Sequence, residues 1–198
     1  MVTDHANTVN MQVGTRGYHH GDLRVALIEA GMRLLEQHEA QPPSLREVAR
    51  AAGVSATAVY RHFPDKDALM RAIAARGFDM LGAMQEAAAA SRVGPAAFAA
   101  AGIAYVRFAL THPAVFRLMF SCAPPRDLFS MPDEDMTAPM RLLRENAAGL
   151  AGPDQPEEAR KIVAVRAWAL VHGLAVLMLD RMVEADDAMI EAVILAMP

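Results

Sequence analysis

The sequence predicts an all-α protein, and three observations carry that expectation. Apolar residues make up 54% of the 198 positions, but aromatic ones only 6%. Alanine and methionine dominate the apolar fraction and β-branched runs are scarce, a balance that favours helix over sheet. Apolar positions also recur at helical spacing, punctuated by capping residues and by Gly and Pro stops.

Taken in order, residues 1–17 are polar and aperiodic and are expected to form a flexible arm. A first helix is expected from Asp22, its cap, with Leu23, Leu27, Ala30 and Leu34 on one face and Pro42-Pro43 beyond its end. Ser44-Leu45-Arg46-Glu47 reads as a capping box that opens a second helix, and Gly53 ends it after about two turns. Ser55 caps a third helix to Phe63, which Pro64 stops. Asp65 caps a fourth from Lys66 to about Ala90, with Leu69, Ile73, Phe78, Leu81 and Met84 inward. Gly94-Pro95 precedes a fifth helix to Thr111, and His112-Pro113 opens a sixth to about Phe120. Pro124, Pro125 and Pro132 make residues 121–133 a loop. A seventh helix covers about 135–150, an eighth Pro156 to about Met182, and a ninth about 186–197, nine in all. No internal repeat is present.

Composition narrows the functional classes. The formal net charge is −4 with a pI near 6.0, so any basic surface must be local rather than general. The single cysteine, Cys122, excludes an internal disulfide, fits a reducing cytoplasm, and reads as a buried structural thiol. Asp4 and His5 with no apolar stretch argue against a signal peptide. The apolar run from Ala167 to Leu179, broken by His172 and Gly173, is shorter than the roughly 20 residues a bilayer requires and reads as a buried helix. There is no Gly-rich phosphate loop, no Ser-His-Asp order and no metal-spaced His/Cys cluster, so no enzyme, cofactor or metal centre is expected.

The informative segment is Leu45 to Phe63. Two short helices meeting across a turn of about three residues need small and apolar residues at the crossing and a left-handed residue in the turn. Ala49, Val48, Ala52, Val54 and Val59 meet the first need, and Gly53 meets the second. An ordinary helical hairpin inside a core satisfies the same spacing, so the flanking residues matter. Ala52-Gly53-Val54-Ser55, Tyr60, Phe63, Lys66 and Leu69 closely resemble the run found in the TetR family of transcriptional regulators. Tyr18-His19-His20-Gly21-Asp22-Leu23-Arg24 is similar to the lead-in of one branch of that family. Trp168, His172 and Gly173 are similar to the Trp-His-Gly signature of that branch's C-terminal domain.

The resemblance implies a cytoplasmic dimer whose N-terminal three-helix domain (18–65) binds DNA. Its C-terminal bundle (66–198) would form a small-molecule pocket and the dimer interface. It favours repression over activation. The stretch Thr57-Ala58 departs from relatives that carry Gly or Pro there. By position, the third helix enters the major groove. Thr57 is the candidate for a base edge, and Tyr60 for a phosphate hydrogen bond. Arg61 and His62 reach phosphates or bases, or form a solvated face. Lys66 holds a phosphate at the start of the fourth helix. Ser44 and Arg46 touch the opposite strand, Ser55 caps the reading helix, and Arg16 in the arm could enter the minor groove.

The eighth helix is apolar nearly all round, so a second chain is its natural cover, though a buried central helix of a monomer is the other possibility. Val165, Leu170, Leu177, Ile190, Val193 and Ile194 are the candidate interface residues. Candidate pocket residues are Tyr105, Phe108, Phe116, Met119, Trp168 and His172, suited to a small apolar or aromatic effector. Adaptable methionines (Met80, Met84, Met119, Met131, Met136, Met140 and Met178) either add to that pocket or fill gaps in the core. A dimerising helical protein that ignores DNA is the alternative of another class.

Overall fold

The structure is a computed structural model that describes residues 20–37, 41–122, 128–152 and 154–196. The arm, Arg16 included, lies outside these residues. Among the described residues there are nine α-helices, two single-turn 3-10 helices and no strand. The helices are α1 (His20–Gln37), α2 (Leu45–Ala51), α3 (Ala56–Tyr60), α4 (Lys66–Ala89), α5 (Gly94–Thr111), α6 (Pro113–Ser121), α7 (Ala138–Ala151), α8 (Glu157–Leu179) and α9 (Asp187–Leu195).

Several boundaries differ from expectation. Helix α1 begins at His20, which places Asp22 within it rather than at its cap. Helix α3 stops at Tyr60, and a turn in which His62 and Phe63 N–H both donate to the Val59 carbonyl carries the chain on to Phe63. The expected loop holds 3-10 turns over Leu128–Ser130 and Asp133–Asp135. Helix α8 ends at Leu179 instead of Met182. Arg181 adopts a left-handed φ of 58°, and Met182 N–H bonds Leu177 O while Arg181 N–H bonds Met178 O. That is a Schellman end, built on arginine at a position where glycine is the usual residue.

The starts of α2, α3 and α4 follow from their caps. Ser44 Oγ accepts from Glu47 N–H at 3.3 Å while Glu47 Oε2 accepts from Ser44 N–H at 2.8 Å, a complete capping box. Ser55 Oγ accepts from Ala58 N–H at 3.3 Å, and Asp65 Oδ1 from Ala68 N–H at 2.6 Å. Helix α1 packs on α2, α4 and α6, and α2 packs on α3. Helix α4, 24 residues and so about 36 Å long, contacts α1 on one side and α5, α6 and α7 on the other. One hydrophobic core runs without a break from Leu27, Val48, Val59 and Phe63 through Leu69 and Ile73 to Phe116 and Leu174. It therefore continues across residue 65, where the sequence suggested a domain boundary.

Two contacts join the two ends of the molecule. A Cβ on Gly77 of α4 would lie 2.7 Å from Met119 Sδ and 2.8 Å from Val115 Cγ1, so α4 and α6 cross at the distance only glycine permits. The Glu36 carboxylate near the end of α1 accepts from the Ala114 and Val115 N–H groups at 3.1 and 3.0 Å, capping the start of α6. Helices α5 and α8 each contain an 18-residue window apolar enough to cross a bilayer by length and composition alone, a property that core helices share. Within the bundle α8 turns Ala164, Ala167, Val171, Leu174, Ala175 and Met178 inward, and it packs on α5, α7 and α9.

Candidate nucleic-acid interface and ligand cavity

Helix α3 is oriented by what it buries. Val59 is fully buried, and Phe63, 1% exposed, sits beneath the Arg24 guanidinium at 5.2 Å. Gly53, at φ 69°, makes the turn between α2 and α3. With Val59 inward, Thr57, Tyr60 and Arg61 share the outer face at i, i+3 and i+4 and are all exposed, Tyr60 by 51%. Arg46 is exposed on α2 and His62 is half-buried. Ser44 and Ser55 have their oxygens engaged in the caps. Lys66 is exposed, but its Nζ donates to the Pro42 carbonyl at 2.7 Å, tying the start of α4 to the segment before α2. Two further ammonium protons stay available to another acceptor.

The second feature is a cavity of about 350 Å³ enclosed by α4 to α9. Of the expected wall residues, Tyr105, Met119 and Trp168 line it. Phe108, Phe116 and His172 do not. Phe108 and Phe116 are buried 1% exposed behind the wall, where Phe116 meets Tyr105 edge-on at 5.7 Å and Phe108 stacks near His112. Phe78, Gln85 and Phe120 also line it and were not picked out as wall residues from the sequence. The available signal was weak: Gln85 follows Leu81 by one turn, a polar residue on an apolar stripe. Met119, Met131 and Met140 line the cavity, whereas Met136 and Met178 belong to the packed core. Cys122 is half-buried on the cavity wall, a correction to its expected full burial.

A polar relay backs this wall. Trp168 Nε1 can only donate, so it donates to Tyr105 Oη at 3.3 Å, and the same hydroxyl is hydrogen-bonded to His172 Nδ1 at 2.9 Å. Burial pushes the Tyr105 phenol well above its ordinary value, against a smaller opposing effect of the Trp168 bond. Burial also lowers the pKa of His172. The unfolded chain therefore takes up this proton more readily than the folded one. The stability that depends on neutral His172 is complete above about pH 6.5 and declines as pH falls below it. Replacing His172 with asparagine should flatten the loss of thermal stability between about pH 6.5 and 5. Parallel melting curves across that range check this, and identical slopes would count against it.

A third feature is an apolar stripe facing solvent. Ile162, Val165, Ala169, Gly173 and Leu177 follow one another along the outer side of α8, with Ile162 52%, Val165 43% and Leu177 40% exposed. A Cβ on Gly173 would meet nothing within 4 Å, so the stripe has a shallow gap at its middle. Leu170 is half-buried on α8 and Val193 on α9, where Met189 and Leu195 are exposed. Ile190 and Ile194, expected on this surface, are 1% and 2% exposed and are already covered within the chain. They pack into the core on the side of α5, and exposed bonds from the Arg107 side chain to Asp187 and Glu191 accompany that contact.

Comparison with known proteins places these features. Residues 27–73 match the family described as bacterial regulatory proteins, tetR family, and residues 98–197 match the tetracyclin repressor-like C-terminal domain. The chain belongs to the TetR family of transcription regulators. The helix-turn-helix of this TetR-family regulator is the α2–α3 pair. A protein of unknown function from Rhodococcus sp. RHA1 is 34% identical, with a TM-score of 0.69 over 91% of this chain and 94% of that one. A TetR family transcription regulator from Marinobacter aquaeolei VT8 is 20% identical, with a TM-score of 0.58 over 87% and 91%. A TetR transcriptional regulator from Rhodococcus sp. RHA1 is 21% identical, with a TM-score of 0.55 over 89% and 96%. A search of curated proteins finds no match. Members of this family are regulators of transcription rather than enzymes.

Proposed function

We propose that this TetR-family regulator is a cytoplasmic homodimeric repressor, released from a palindromic operator when a small apolar or aromatic effector fills the cavity. The observation that carries the proposal is the exposed Thr57–Tyr60–Arg61 face of α3, held outward by the buried Val59 and Phe63. Two such helices, brought together by the apolar stripe of α8 and α9 from each subunit, would read successive major grooves. Thr57 is proposed to read a base edge, Tyr60 and Lys66 to bind phosphates, and Arg46, Arg61 and His62 to reach the flanking backbone.

Helix α4 begins beside the reading unit and lines the cavity further along, while Glu36 ties α1 to α6, which carries Met119 and Phe120 of the wall. An effector that binds one α4–α6 arrangement more tightly shifts the population toward it, and with it the spacing of the reading helices.

Selection of bound DNA from random duplexes tests the proposal. A palindrome with half-sites about one helical turn apart, or a multiple of that, is expected. Recovery of no preferred sequence would favour a helical dimer indifferent to DNA. On the selected operator, Tyr60→Phe and Lys66→Ala should each weaken binding about three- to tenfold at all operator sequences, and Lys66→Ala should lower the salt slope by about one. Thr57→Ala should instead relax sequence preference. Gel shifts over a salt series check these, and an unchanged slope for Lys66→Ala would remove its phosphate role.

A further inference from the structure

We infer that the cavity takes a neutral, apolar molecule bearing a hydrogen-bond donor, a phenol or an alcohol, and that Gln85 Oε1 is the acceptor that selects it. The inference rests on the effector reading above and deepens it.

Gln85 lies on α4, 6% exposed, and lines the cavity. Its amide orientation is determined, because Nε2 donates to the Ala101 carbonyl of α5 at 3.2 Å, and the opposite orientation would set two carbonyl oxygens against each other. That leaves Oε1 buried with no hydrogen-bond partner among the described residues. Nearly all buried polar atoms in native proteins are paired, because lost hydration otherwise goes uncompensated. Because Gln85 is a lining residue, this unpaired acceptor lies beside the cavity, where a donor carried by an occupant can pair with it.

The rest of the wall defines the remainder of the molecule. Phe78, Met119, Met140 and Trp168 give apolar, polarizable contacts. The Tyr105 hydroxyl is already hydrogen-bonded to both Trp168 and His172. Arg71 is exposed, so no buried charge faces the cavity among the described residues, and an ion would lose its hydration there without a counter-charge. Ethers, esters and hydrocarbons fit the apolar wall but leave Oε1 unpaired. A hydroxyl group pairs it, and sites with a waiting polar group discriminate strongly against analogues that cannot satisfy it.

Trp168 is the single tryptophan and sits on the cavity wall, so its fluorescence reports occupancy in the full-length chain. The probes are 4-propylphenol, its methyl ether 4-propylanisole, and propylbenzene, with calorimetry as a second readout. The unmodified protein should bind the phenol about tenfold more tightly than the ether. Gln85→Leu and the more flexible Gln85→Met should both abolish that preference while still binding all three probes. Equal binding of phenol and ether by the unmodified protein, or a preference that survives in both variants, overturns the role of Gln85 and leaves the cavity reading standing. Failure of all three probes to bind the folded protein overturns the effector reading together with it.

Discussion

Leu177→Glu should convert the protein to a monomer and lower operator affinity by more than about a hundredfold. The side chain is 40% exposed on a single chain, so the monomer tolerates a carboxylate there and should keep its helical content. In a two-fold dimer formed through the α8 stripe, the same substitution appears on both sides of the interface. Each carboxylate would be buried against the partner's apolar stripe, which costs several kcal/mol per charge. Once the subunits separate, each reading helix binds alone and loses the effective concentration its partner supplied, a factor of about 10² to 10⁴. Sedimentation velocity and gel shifts on the selected operator measure the two effects. Val93, 86% exposed in the turn before α5 and far from the stripe in sequence, provides the control, and Val93→Glu should change neither. A Leu177→Glu protein that stays dimeric would place the interface elsewhere.

Phe63→Ala should destabilise the helix-turn-helix by about 3–5 kcal/mol, the usual cost of removing a buried phenylalanine with incomplete collapse of the space left behind. Phe63 is 1% exposed and closes the small core made by Leu27, Val48 and Val59. It also carries Arg24 over its ring. A loss of that size exceeds what a unit of three short helices readily absorbs, so operator binding should disappear even though Phe63 is buried away from the reading face. Urea unfolding followed by circular dichroism gives the magnitude, with Tyr60→Phe as a surface substitution that should change stability little. A loss below about 1 kcal/mol would mean that α3 is held by other contacts.

The difference between these two sites also marks where sequence reasoning succeeded. Val59, Phe63, Gly53 and the Ser44 and Ser55 caps were legible because each acts within a few residues of itself: a cap satisfies N–H groups two or three positions on, and a glycine turn is a property of one φ angle. The outward α8 stripe was legible in part, since a helix apolar on every side needs more cover than one chain provides. Which of its neighbours joined that stripe was not. Ile190 and Ile194 repeat at i, i+4 on α9 as an interface pair would, but they are buried within the chain where α9 packs on α5, a helix some 80 residues earlier. Lys66 matched a phosphate-binding position, and only the fold revealed the Pro42 carbonyl as its present partner.

From the sequence alone came the all-helical class, the order and approximate limits of the helices, and the exposed Thr57–Tyr60–Arg61 face. These depend on periodicity, capping and turn geometry, interactions that span one or two helical turns. The tertiary structure alone decided the cavity, the unpaired oxygen of Gln85 beside it, and the links from α1 to α6 and from α4 to α6. A cavity is the space left where helices distant in sequence fail to touch, and its lining is set by crossing distances such as that at Gly77, which no local pattern encodes.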